Sequence, residues 1–131
     1  MLDSEGLSKL AEGNGDVRAI VAKGLRQGYR IVLAAVTLAE VVRGDARDAN
    51  INRTVSASGE VVPVTAEISR EAGKLLRLAG LDGRCTIDAI VVTVAARQTR
   101  PVVILTSDPN DINALISGLG LPKNEITATP V

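Results

Sequence analysis

Four carboxylates stand at places where a folded chain can gather them. Asp3 follows the short apolar start ML, Glu40 lies in TLAEVVRG, Asp88 opens TIDAIVVTVA, and Asp108 closes ILTSD. The chain has no histidine and one cysteine, and no lysine lies near these acids to neutralise them. Hard oxygen ligands without His or Cys suit magnesium or manganese rather than zinc. Asp88 carries the most information, because it sits one turn into a segment that is otherwise almost wholly apolar. An unpaired carboxylate there loses solvation or gives up its charge, whereas a bound divalent cation turns it into a ligand.

Each acid also has a plainer reading. Thr37 and Glu40 have the T-x-x-E spacing of a capping box, Asp108 with Asp111 can cap the helix that Pro109 begins, and Asp88 is an early-turn acid suited to a helix dipole. Against these stands their joint position. Open parallel sheets bind ligands at the carboxyl ends of their strands, and acids follow three predicted strand ends.

The elements that must position them read as alternating strands and helices, punctuated by glycines at 13, 15, 28, 44, 59, 80, 83, 118 and 120. A very short strand at Met1 to Asp3 leads into a helical turn around Leu7. Asp16 is the expected N-cap of a helix ending before Gly28, with Val17, Ile20, Val21, Gly24 and Leu25 facing inward. RIVLAA is a buried strand, Thr37 opens a short helix stopping near Gly44, and Asp45 to Ser58 is weakly helical at best. EVVPV is a strand near an edge, since Pro63 cannot donate to a ladder. Thr65 starts a helix with Ile68, Ala72, Leu75, Leu76 and Ala79 on one face, up to Gly80. Thr86 to Arg97 is a helix buried on nearly every side, VVIL is a central parallel strand, and ITATPV is a last short strand. This alternation predicts an α/β fold, a mostly parallel central sheet with helices on both faces, in one domain spanning 1–131.

Composition narrows the function classes. Fifteen basic and fifteen acidic residues cancel, so any attraction for a polyanion is local. Tyr29 is the only aromatic residue, which argues against reading splayed bases by stacking. Cys85 has no partner for a disulfide or zinc site and is expected as a small buried apolar residue. The MLDSEG start carries no secretory pattern, and the apolar stretches Ile31 to Val42 and Ile87 to Ala96 are too short and interrupted to cross a bilayer. A reducing cytoplasm is the expected setting.

LDSEGL, TLAEVVRG, TIDAIVVTVA and ILTSDPNDINAL, in this order and spacing, resemble the four acidic motifs of PIN domains, and most nearly those of VapC-type toxins of bacterial toxin–antitoxin pairs. The resemblance spans nearly the whole chain. It implies a PIN-like three-layer fold and an endoribonuclease needing magnesium or manganese, with Asp3, Glu40, Asp88 and Asp108 as its acidic site. Ser4, Thr106 and Ser107 match small polar positions that support those acids. Glu5 and Asp111 rank as secondary ligands, Asp111 coming three residues after Asp108 where the family often has two. Only Met1 and Leu2 precede Asp3, fewer apolar residues than the family usually has. The resemblance further implies a small cognate antitoxin that blocks the site, a homodimer, and hydrolysis leaving a 5′-phosphate and a 3′-hydroxyl.

A cation held by such acids acidifies a water and stabilises charge on an attacked phosphate. A route through the RNA 2′-hydroxyl with a histidine pair is poorly supported in a chain without histidine. Lys9 and Arg43 are candidate contacts to the RNA backbone at the rim, with a solvated helix surface as their plainer reading. Two competitors stand beside this one. A phosphoacceptor signalling domain needs an aspartate after the third strand and a lysine after the fifth, and EVVPV and ITATPV offer neither. A catalytically silent PIN-like binding module is opposed by the intact set of acids.

Overall fold

The computed structural model describes residues 1–131, the side chain of Ser58 aside. In chain order the elements are α1 (Ser4–Glu12), α2 (Gly15–Arg26), β1 (Ile31–Ala34), α3 (Ala35–Val41), α4 (Asp48–Ser58), β2 (Gly59–Val62), α5 (Ala66–Ala79), a 3-10 turn (Gly83–Cys85), α6 (Thr86–Ala96), β3 (Val102–Thr106), α7 (Pro109–Gly118) and β4 (Ile126–Pro130). β1 pairs in parallel with β2, and β3 in parallel with β4. Leu2 joins the two pairs, bridging Leu33 on one side and Leu105 on the other, again in parallel. The Leu2 amide donates to the Val32 carbonyl at 3.1 Å, the Asp3 amide to Leu105 at 3.1 Å, and the Leu105 amide to Met1 at 3.0 Å. The expected first strand is thus reduced to one bridging residue, and the spatial order is β2, β1, Leu2, β3, β4.

From the centre the chain steps outward to β1 and β2, then returns past its start to β3 and β4. This reversal opens a crevice at the carboxyl ends of the strands beside Leu2 and β3.

Side chains alternate across the sheet. Val102 and Ile104 of β3 enter a core with Ile68 and Leu75 of α5, Val91 of α6, and Ile112 and Leu115 of α7. Val103 and Leu105 face the opposite core, built with Leu7 of α1, Val17 of α2 and Ile51 of α4. Helices therefore cover both faces, giving the α/β three-layer architecture that the alternation predicts. The buried helix is α6, in which every residue from Ala89 to Ala95 is buried. α5 starts at Thr65, whose hydroxyl accepts from the Ile68 amide, and stops at Gly80, which takes the left-handed conformation.

Several local expectations are corrected. The turn around Leu7 is a full helix, because fully buried Leu7 anchors it and Gly13 closes it in the left-handed conformation. Asn14, not Asp16, caps α2, its side chain accepting from the Asp16 and Val17 amides at 3.1 Å. Ile20 and Leu25 are exposed at 37% and 52%, so only part of the predicted α2 stripe faces inward. The segment expected to be weakly helical holds α4, whose Ile51 is buried, so tertiary packing outweighs its modest propensity. α3 begins at Ala35 rather than Thr37, and no side chain caps it. The capping-box reading of Thr37 and Glu40 falls, since Thr37 lies inside the first turn.

No helix among the described residues is long and apolar enough to cross a membrane.

Among the described residues Leu2 bridges both halves of the sheet, and it is 2% exposed. Leu2→Ala is expected to cost about 2–5 kcal/mol, read as a lower denaturant midpoint with an unchanged slope. An unchanged midpoint would show that the halves are held together chiefly by their helices.

Candidate active site

Asp3 lies where Leu2 leaves the sheet. Its backbone amide is held by Leu105, and it is the N-cap of α1, with one carboxylate oxygen accepting from the Gly6 amide at 2.8 Å. The Thr106 hydroxyl, at the end of β3, lies on the same side and favours the charged form of this carboxylate. Asp3 is buried at 8% exposure, and that desolvation raises its pKa, opposed by the Gly6 and Thr106 hydrogen bonds. Gly6 has a reason that the sequence alone hides. A Cβ there would lie 2.8 Å from the Leu105 carbonyl oxygen and 3.4 Å from the Asp3 carboxylate, so glycine lets α1 start directly against β3.

Glu40 comes from the last turn of α3 and is exposed, its carboxylate accepting from the Ser4 hydroxyl. One turn earlier, Thr37 is fully buried and its hydroxyl meets no hydrogen-bond partner. Leaving such a group unpaired typically costs ~1–3 kcal/mol.

Asp88, in the first turn of α6, is half-buried. Burial pushes its pKa up to about 6, and the surrounding charges of Glu40, Asp3, Asp108 and Asp111 push in the same direction. Asp108 caps α7, accepting from the Asp111 amide at 3.3 Å, while its own amide donates to the Thr106 hydroxyl at 3.0 Å. Its plainer reading as a cap is therefore correct, and the cap leaves the carboxylate at the end of β3.

These positions converge on a cleft of about 200 Å³ whose lining includes Asp3, Glu5, Glu40, Asp88 and Asp108 with the hydroxyls of Ser4, Thr106 and Ser107. No Lys or Arg is among the lining residues described. A larger hollow of about 460 Å³ opens at the amino ends of the strands, between Tyr29, Arg30 and Val103, away from all four acids. Chain reversal and donor chemistry, rather than size, select the acidic cleft. Asp111 stands to one side of it. Its carboxylate accepts from the Cys85 thiol at 3.2 Å, and ligand atoms of Cys85, Asp88 and Asp111 lie within 4.8 Å of one another. This group was not foreseen from the sequence, where Cys85 reads as an apolar filler. It is buried as expected, and its bond to Asp111 together with desolvation raises the thiol to about 11, keeping it protonated.

The two expected rim cations are engaged locally. The Arg43 guanidinium donates to the carbonyls of Ala39 at 3.2 Å, Val42 at 2.9 Å and Glu40, closing the end of α3. Lys9 pairs with Glu5 at 3.3 Å. A guanidinium carries five N–H donors and an ammonium three, so these local bonds do not use up the donors of either side chain.

Carboxylates lining one cleft beside hydroxyls are oxygen donors of the kind a hard divalent cation takes, while among the described residues the ligand atoms close enough to share an ion are those of Cys85, Asp88 and Asp111. Fold and cleft together define an α/β domain with an acidic cleft at its point of chain reversal. The PIN domain family model matches residues 1–114, and the chain belongs to that family, whose members are generally metal-dependent nucleases. No curated protein matches the chain.

A pH dependence follows from the raised acids. Asp88 binds its proton more tightly folded than unfolded, so between its ordinary value of 3.8 and about 6 the folded state holds the extra proton. Stability of the metal-free protein therefore falls as pH rises through that window, and Asp3 acts with the same sign. Asp45, Glu71 and Asp82 have lowered values and act in the opposite sense, at more acid pH. In excess chelator the melting temperature is expected to drop from pH 5 to pH 7, and Asp88→Asn to flatten that drop. A profile unchanged by the substitution would show that Asp88 is not the strained acid.

Proposed function

We propose that this protein is a magnesium- or manganese-dependent endoribonuclease, acting as the toxin of a VapBC-type toxin–antitoxin pair, with Asp3, Glu40, Asp88 and Asp108 as the acids that hold the cation. The observation that carries this reading is the convergence of four carboxylates from four elements on one cleft free of lining cations. Family membership supports the nuclease class. RNA as the substrate, the toxin role and a homodimer rest on the likeness of the four motifs to VapC-type proteins, and a cytoplasmic setting on the single cysteine and the start without a secretory pattern.

Each group has a role in this reading. Asp3 is held through its backbone by Leu105 and through its side chain by the Gly6 amide. Ser4 holds Glu40 across the cleft. Asp88 is the acid that gains most from a cation, since burial and its neighbours disfavour its charge. Asp108 comes in from β3, with Ser107 beside it at the mouth. Asp111 is a secondary group, shared with Cys85. When bound, the cation acidifies a water and offsets charge developing on the phosphate.

Asp3→Asn, Glu40→Gln, Asp88→Asn and Asp108→Asn are each expected to lose ribonuclease activity beyond the ~100-fold typical of groups that merely support metal ligands. Asp111→Asn is expected to lose little. Because asparagine caps helices about as well as aspartate, the metal-free variants should melt no lower than wild type. Wild type should gain ~2.7 kcal/mol at a metal concentration 100 times the dissociation constant, and the variants less. Survival of activity in two of the four variants, or undiminished cleavage in excess chelator, would end the assignment.

The antitoxin reading has its own test. A strongly acidic cleft is open to an Arg or Lys from a partner seated where the cation would lie. Purification with the neighbouring genes co-expressed should recover a small protein that suppresses cleavage. A complex that cleaves RNA as fast as the free chain defeats the blocking role.

A further inference from the structure

We infer that Thr37 is a positioning residue of the acidic site, its hydroxyl donating a hydrogen bond to the carboxylates when they hold their divalent cation. This rests on the cation-site reading of Asp3, Glu40, Asp88 and Asp108.

The placement comes from the way α3 divides its sides. Val36 packs against the core shared with α5 and α6, whereas Leu38 and Val41 pack against the core shared with α1 and α4. With roughly 100° between successive residues, Thr37 points between these two directions, and Glu40 lies about 60° from it one turn along. α3 packs on α1 and α6, the helices whose starts carry Asp3 and Asp88. Thr37 therefore lies one turn from Glu40 on the same side of α3, buried behind the residue that α3 contributes to the cleft lining.

Chemistry makes that placement informative. Thr37 is 0% exposed, and its Oγ1 has no hydrogen-bond partner. Valine would fill the same β-branched shape without an unpaired hydroxyl, so packing alone does not call for threonine. A helical threonine can instead return its proton to the carbonyl four residues back, and Thr37 does not. Ionised carboxylates only accept hydrogen bonds, and a hydroxyl gives one without adding positive charge. It can thus order acids around a cation without competing with it, as a lysine would. Thr93 supplies the contrast. It is also buried and unpartnered, but lies five residues beyond Asp88 within the apolar body of α6.

Manganese affinity and metal-free melting temperature, measured on the full chain for wild type, Thr37→Val, Thr37→Ser and Thr93→Val, test the inference. Thr37→Val is expected to melt at the wild-type temperature or higher without metal, yet to bind manganese about tenfold more weakly, equivalent to about 1.4 kcal/mol. Thr37→Ser should retain most of the affinity, and Thr93→Val all of it. Unchanged affinity in Thr37→Val overturns the proposal. So does equal loss in Thr37→Ser, which would point to shape rather than the hydroxyl, or equal loss in Thr93→Val. Should Thr37→Val fail to fold, Thr37→Ala against Thr37→Ser gives the same comparison, equal affinity overturning the proposal. Failure of wild type to bind manganese at all would instead remove the cation-site reading on which it stands.

Discussion

The insertion of Leu2 and Asp3 between β1 and β3 is the constraint on which the rest of the structure depends. In most parallel sheets the central position is a full strand. Here one residue bridges both neighbours, and the amides of Leu2 and Asp3 donate to opposite sides. Leu2 is thereby committed to the α1 side of the sheet, among Leu7, Leu33 and Leu105. A slip of one residue would exchange the faces of Leu2 and Asp3, placing a carboxylate in an apolar core. Correct register therefore delivers Asp3 to the carboxyl end of the sheet, and it also sets where α1 begins. The close approach of α1 to β3 then requires Gly6, because any larger residue meets the Leu105 carbonyl.

Gathering acids at this point has an electrostatic cost, which is met unequally. Asp3 has the Gly6 amide and the Thr106 hydroxyl, Asp108 has the Asp111 amide, and Glu40 has the Ser4 hydroxyl. Asp111 takes the Cys85 thiol. Asp88 is half-buried and responds to the charge of all these neighbours, so its carboxyl is the one pushed up to about 6. Neutral donors moderate the repulsion without cancelling it. In the proposed reading, the remaining strain is the part that a cation would relieve.

Much of this was legible from residue order. Long-range periodicity identified α5, with Thr65 and Gly80 at its ends, and the unbroken apolar run of α6 marked a helix buried on all sides. The acids were legible because each interrupts or ends an apolar segment. Other features required three dimensions. α4 is set by burial of Ile51 rather than by local propensity. α2 looked more inward-facing than it is, since a hydrophobic stripe does not state whether a neighbour covers it, and Ile20 and Leu25 remain uncovered. T-x-x-E suggested a capping box until Ala35 proved to be the first residue of α3, which moved Thr37 from the cap into the core. Cys85 beside Asp111 pairs residues 26 apart, a contact no local pattern encodes.

Helix capping and a place in the acidic cleft, which compete as explanations in the sequence, fall on the same residues in the fold. Asp3 and Asp108 are N-caps, and Asp88 lies in a first turn, so three acids sit at helix starts whose amides favour negative charge. Those helix ends partly offset the mutual repulsion before any cation arrives. Glu40 is the exception, because it lies in the last turn of α3, where the dipole is unfavourable. Arg43 explains how it is tolerated. By donating to the carbonyls of Ala39, Glu40 and Val42, its guanidinium neutralises the negative end of α3 directly beneath the carboxylate. The residue that looked like a contact for RNA thus lets the fourth acid stand at the wrong end of a helix, while its positive charge stays outside the cleft lining.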